Sequence, residues 1–311
     1  MIVKQRKNSL IMYVLTRFGF FCLLVFLLLS GFINIPDLVY QAKILALNRL
    51  RPESNEYLQA LSKGQVALDV TRLEEFRQYY KEVFNLFPER ADAMGLYGYC
   101  SYLLGEHSAA RDAYSQALAL QPDFFWYHYN LGVDRYHRGD YPLAIAHLRK
   151  AYNRSPEQTL DYVFTSERLY IRLYREFHRE SDMYFVNQLQ QAYDSAYKMV
   201  ILSYYQLKQY QSVMDVANDA LQKNNPSKGF YFLFLGKASF NMKEYEDAIM
   251  YLRNSLQFDI DNPDVYEHWG QCLEALGHVG QGRLIRQKSR ELSQESNVQP
   301  DTRTLFRYEL Y

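Results

Sequence analysis

The chain has 311 residues, 35 of them Lys or Arg and 35 Asp or Glu, so its formal charge is zero, and 48% of its residues are hydrophobic. The charge is unevenly spread: residues 1–50 hold six basic residues and one acidic, net +5, and the rest holds 29 and 34, net −5. A mildly acidic main body lacks the basic footprint that nucleic-acid binding requires, and Cys22, Cys100 and Cys272 are too few and too dispersed for a disulfide framework or a metal knuckle.

The first element is apolar. Residues 18–35 form an uncharged run of 18 residues, about 27 Å as a helix, against roughly 30 Å of bilayer hydrocarbon. Lys4, Arg6 and Lys7 precede it, a positive flank that places the N-terminus on the cytoplasmic side. Residues 1–35 are read as this basic flank and an uncleaved transmembrane signal anchor. A cleaved signal peptide is the competing reading, but it needs small residues at the cleavage site, and Ser30 and Gly31 follow Leu28 and Leu29. Over residues 36–56, Pro36 opens a second periodic stretch with Leu38, Val39, Ile44, Leu45 and Leu47, expected as a juxtamembrane amphipathic helix or linker.

Residues 57–294 carry an internal repeat. Gly98 and Gly132 are 34 apart, and so are Gly236 and Gly270. Gly98 is followed by Ala110, Tyr114, Ala117 and Pro122, and Gly132 at the same offsets by Ala144, Leu148, Ala151 and Pro156; Gly236 is followed by Ala248 and Leu252. Two antiparallel helices joined by a short turn approach closely where one carries Gly and the other Ala, and Pro closes the second helix. Gly105, Gly139 and Gly277 fall seven residues after packing glycines, where a left-handed cap ends the first helix. Stacked helix-turn-helix units of this period make an all-α solenoid. Clear units are expected at about 91–124, 125–158, 229–262 and 263–294. From Gly132 to Gly236 the distance is 104, three periods plus two, so degenerate units are expected at 159–192 and 193–228, and a further one at 57–90 from Gly64, Tyr80 and Pro88. The tail 295–311 ends in the aromatic segment 305–311.

These residues resemble the tetratricopeptide repeat family, whose period is 34. Departures are Ile260 where Pro is expected and Gly282 where the packing Ala is expected. The resemblance implies a right-handed superhelix whose first helices line a concave groove. It assigns to that groove Tyr99 and Tyr102; Trp126, Tyr129, Asn130, Tyr136 and His137; Lys198 and Tyr205; and Phe230, Lys237 and Phe240. With 29 Tyr and 19 Phe in the chain, the groove is expected to be aromatic, a surface of the kind that anchors protein interfaces. Members that clamp a peptide carboxylate use a set of Lys, Asn and Arg. Here Gly95 and Tyr99 occupy the expected Lys and Asn positions and Asn130 alone corresponds, so an extended or helical apolar segment is the expected ligand.

No catalytic constellation appears. His128 and His137 are nine apart, out of phase on a helix, and no metal ligand set is formed. Gly277, Gly280 and Gly282 join two helices, whereas a nucleotide loop follows a strand. The sequence is read as a membrane-anchored repeat scaffold in an envelope assembly, with the solenoid outside the cytoplasm, protein partners and no cofactor. A cell-wall glycan-binding module that uses the same aromatic face is the alternative.

Overall fold

A computed structural model describes residues 53–54, 56–58, 60–61, 65–154 and 179–295. The expected anchor at 18–35, most of the juxtamembrane stretch and the tail lie outside the described residues. Among the described residues no helix is long and apolar enough to cross a membrane.

Among the described residues, eleven helices belong to the compact unit Ser62–Leu310. They are α1 (Val70–Leu86), α2 (Ala91–Leu103), α3 (His107–Leu120), α4 (Phe125–His137), α5 (Tyr141–Ala151), α6 (Arg179–Gln206), α7 (Tyr210–Gln222), α8 (Lys228–Asn241), α9 (Tyr245–Leu256), α10 (Pro263–Ala275) and α11 (Val279–Glu295). From α2 onward they pair as first and second helices of successive units: α2 with α3, α4 with α5, α6 with α7, α8 with α9 and α10 with α11. Each second helix also touches the first helix that follows it, so each unit buries its apolar side on the next.

Local chemistry sets the boundaries. The Asp69 side chain accepts from the Arg72 N–H at 3.2 Å to start α1, and Asn262 accepts from the Asp264 N–H at 3.1 Å to start α10, with Pro263 behind it. Gly105, Gly139 and Gly277 take φ of +79°, +76° and +89° at the turns inside three units. The same turn follows α6 and α8 without glycine: Lys208 and Lys243 stand there at +58° and +67°. The hydrogen bonds are conserved in form, Gly105 to Tyr102 O and Glu106 to Ser101 O in one case, Lys243 to Phe240 O and Glu244 to Ser239 O in the other.

The packing glycines face the residue one helical turn beyond the small Ala. A Cβ on Gly132 would lie 2.5 Å from Leu148 Cγ, and one on Gly236 2.6 Å from Leu252 Cγ. In the last unit the aliphatic stem of Arg286 takes that place, 2.3 Å from a Cβ on Gly270, and Gly282 faces the Gly270 carbonyl at 2.7 Å from its own would-be Cβ. The residue substitution at 282 therefore lets two backbones meet where neither has room for a side chain.

The middle of the array departs from the expected grid. Its 28-residue α6 begins at Arg179, so the boundary expected at 192/193 falls inside a helix, and residues 179–192 are no second helix of a separate unit. α5 packs directly on α6. Aromatic rings make the joint: Phe125 stacks on Tyr193 with centroids 4.7 Å apart, and Tyr152 on Tyr197 at 4.1 Å. An extra helix pair cannot stand between partners that already share rings. Residues 155–178, on which most of the unit expected at 159–192 falls, lie outside the described residues.

Candidate partner-binding face

α4, α6, α8 and α10, the first helices of four units, contact one another in succession and form a wall. On α8 the residues at 230, 234, 237 and 241 share one stripe, because steps of four, three and four follow the helical repeat. Phe230 and Phe234 meet at 4.5 Å, and the Tyr205 ring of α6 meets Phe234 edge-on at 5.5 Å. Lys237 Nζ stands 5.6 Å from the Tyr205 centroid and 5.2 Å from that of Phe234; Lys198 Nζ stands 5.7 Å from Phe230. Cations placed this way are drawn to the negative ring faces.

Carboxylates fix both lysines. Lys237 donates to Asp264 Oδ2 at 2.7 Å, and His268 Nδ1 lies 3.3 Å from Asp264 Oδ1. Hydrogen bonding from His268, followed by that from Lys237, holds the Asp264 carboxyl well below the usual range against the opposing effect of burial. Lys198 pairs with Asp194 Oδ2 at 2.9 Å. Asp194 also accepts from Ser227 Oγ at 2.6 Å, the Ser227 N–H at 3.2 Å and Tyr231 Oη at 2.6 Å. Burial, and after it the charge of Asp194, pushes the Tyr231 phenol far up, so this hydroxyl remains a donor. Phe240 closes the patch, edge-on to His268 at 6.3 Å.

Lys198, Tyr205, Phe230, Lys237 and Phe240 are thus brought together and remain half-buried. Tyr102 and Tyr136 are half-buried and His137 is exposed; Tyr102 meets His107 at 5.1 Å and Tyr136 meets His137 at 5.6 Å. Burial raises both phenols, with Asp134 adding to the rise at Tyr102 and Tyr141 at Tyr136. Burial likewise lowers His137.

Tyr99, Trp126, Tyr129 and Asn130 belong to the core and offer no free surface. Their exposures are 2%, 1%, 2% and 4%. Trp126 is wedged edge-on between Phe125 at 4.8 Å and Tyr129 at 5.7 Å, and Asn130 donates to Tyr114 Oη at 3.2 Å. The large rings of α4 fill the space toward α6, which packs on that helix. A sugar-stacking platform built on Trp126 and Tyr129 is therefore closed. Sequence reasoning also did not single out Asn241 and Asp264 at the edge of the patch or Phe234, which is buried beneath it, although the stripe spacing on α8 points to positions 234 and 241.

Among the described residues no group of three or more His, Cys, Asp or Glu is arranged to hold a metal ion. Cys100 and Cys272 are buried free thiols, and burial pushes them up to about 12 and about 11, which suits small hydrophobes and not nucleophiles.

A family model of the tetratricopeptide repeat matches residues 98–133, and one of subunit 3 of the anaphase-promoting complex, or cyclosome, matches residues 161–255. Match and helix pairing together support the tetratricopeptide repeat family. Two solved structures show the same fold. One is that of MamA protein, at 16% identity, covering 68% of this chain and 98% of that one with a TM-score of 0.50. The other is YrrB, described as a tetratricopeptide repeat protein with an unusual peptide-binding site, at 13% identity, 73% and 95% coverage and a TM-score of 0.50. No curated protein matches the chain. The described residues form an all-helical array of paired helices, the fold of the tetratricopeptide repeat proteins that the chain resembles.

Proposed function

We propose that the chain is a membrane-anchored tetratricopeptide repeat scaffold that seats a segment of a partner protein on the face formed by α6, α8 and α10. One observation carries the reading: Tyr205, Phe230 and Phe240 remain half-buried in a patch whose lysines are already fixed by Asp194 and Asp264. Rings held ready in this way lose little freedom on binding, and an apolar or aromatic partner segment would complete their burial. The anchor is residues 18–35, and the basic flank before it supports a solenoid held outside the cytoplasm, periplasmic in a Gram-negative cell.

The test is photo-crosslinking from residue 240 in native membranes, followed by pull-down with wild-type and Phe230→Ala/Phe240→Ala chains. Capture of a defined partner by the wild type, lost in the double variant whose helicity is unchanged, is the expected result; equal capture by both would sink the assignment of this face. A C-terminal reporter active only in the cytoplasm would overturn the orientation.

A further inference from the structure

A pair of histidines lies apart from the aromatic patch. His128 of α4 and His147 of α5 approach Nδ1 to Nδ1 at 3.1 Å. His128 is 4% exposed, and its Nε2 lies 2.8 Å from the Pro122 carbonyl oxygen. A carbonyl only accepts, so Nε2 carries the proton and His128 Nδ1 presents a lone pair. His147 Nδ1 must then carry a proton and donate it. The two rings share one proton in one hydrogen bond.

We propose that this pair is an acid-operated latch between the two helices of the α4/α5 unit. A second proton taken up on His128 Nδ1 would set two N–H groups against each other at 3.1 Å, and the bond to Pro122 keeps the ring from turning away. Among the described residues, Lys150 of α5 bears on both rings and Arg135 of α4 on His147, each adding positive charge. Asp123 draws His128 the other way, but it is engaged by Arg154 at 2.9 Å. Burial first, then the partner ring and these cations, hold His147 down to about 4, and burial lowers His128.

The sign follows from those directions. Both rings prefer the neutral form in the closed unit, so its stability is full above the ordinary histidine value of about 6.5 and falls as pH drops from there toward the depressed values. The unit so loosened is the one whose Phe125 and Tyr152 stack on α6. Acid therefore acts on the joint between the helices before α6 and those after it.

Hydrogen exchange on the full-length chain in detergent, with EDTA present and intrinsic rates corrected, reads this directly. Between pH 7.5 and 5.5, protection of α4 and α5 amides should fall about tenfold through His147, with His128 adding to the fall, relative to α8 and α9, and His147→Gln should remove the His147 share of the difference. A uniform change across all helices, or a drop of the same size in the variant, would overturn the latch. Should the variant not fold, imidazole nitrogen shifts of the wild type decide: both rings protonating together near 6.5 would refute it, and neutrality of His147 below pH 5.5 would support it.

Discussion

Lysine is a poor residue for a left-handed turn, yet Lys208 and Lys243 occupy turns that elsewhere in the array hold glycine. A non-glycine residue there costs roughly 1 kcal/mol, partly offset because glycine loses more freedom on folding. Lys243→Gly should therefore raise stability by about 0.5 kcal/mol, read as a higher urea midpoint with unchanged slope; a lower midpoint would show that the side chain contributes something the turn geometry does not reveal. Gly236 is the opposite case. Placing a Cβ 2.6 Å from Leu252 Cγ overpacks the α8/α9 contact, and Gly236→Ala should cost about 1–3 kcal/mol. Adding Leu252→Ala to that variant should cost less than it does in the wild type, since the two groups meet.

At the scale of helices, Asp194 ties α6 to α8 through Ser227 and Tyr231 while also holding Lys198. Because it is 4% exposed, Asp194→Ala leaves buried donors without an acceptor and should cost about 3 kcal/mol, with Tyr231→Phe near 1 kcal/mol. Thermal melts of the two variants check the order; equal small losses would mean that water replaces the carboxylate. The helices themselves were legible in the sequence wherever glycine marked them, because close approach and positive φ each demand that residue. The turns at Lys208 and Lys243 carried no such mark, and the length of α6 was hidden because a helix that joins two expected segments has no internal signal where they meet. The half-buried patch was half legible. Offsets along a repeat identify which helix face a residue occupies, which was enough to gather Lys198, Tyr205, Phe230, Lys237 and Phe240 in one neighbourhood. They cannot tell whether a neighbouring helix closes over that face, and at Trp126, Tyr129, Tyr99 and Asn130 burial decided the matter. The His128–His147 pair was missed because its members sit on opposite helices of a unit, 19 residues apart, a spacing that no single-helix pattern scans.

Across the whole molecule, stability is a sum of units and of the contacts between neighbours. The ring-stacked joint of α4/α5 with α6 is the contact whose removal should divide the array most cleanly. Tyr152→Ala with Tyr197→Ala should convert a single calorimetric transition into two, the units before α6 separating from those after it; one transition merely shifted to lower temperature would mean that other contacts couple the halves. The final unit raises a different matter. Where earlier units set Leu148 and Leu252 against the packing glycine, this one uses the stem of Arg286 and sends its guanidinium to Glu267 at 2.9 Å and Glu274 at 3.2 Å. An oily contact is indifferent to ionic strength, and an ion pair at a half-open edge is not. Added salt should consequently weaken the packing-glycine contact of the final unit more than those built on leucine, and anyone grafting a further repeat onto it would first have to replace that arginine with leucine.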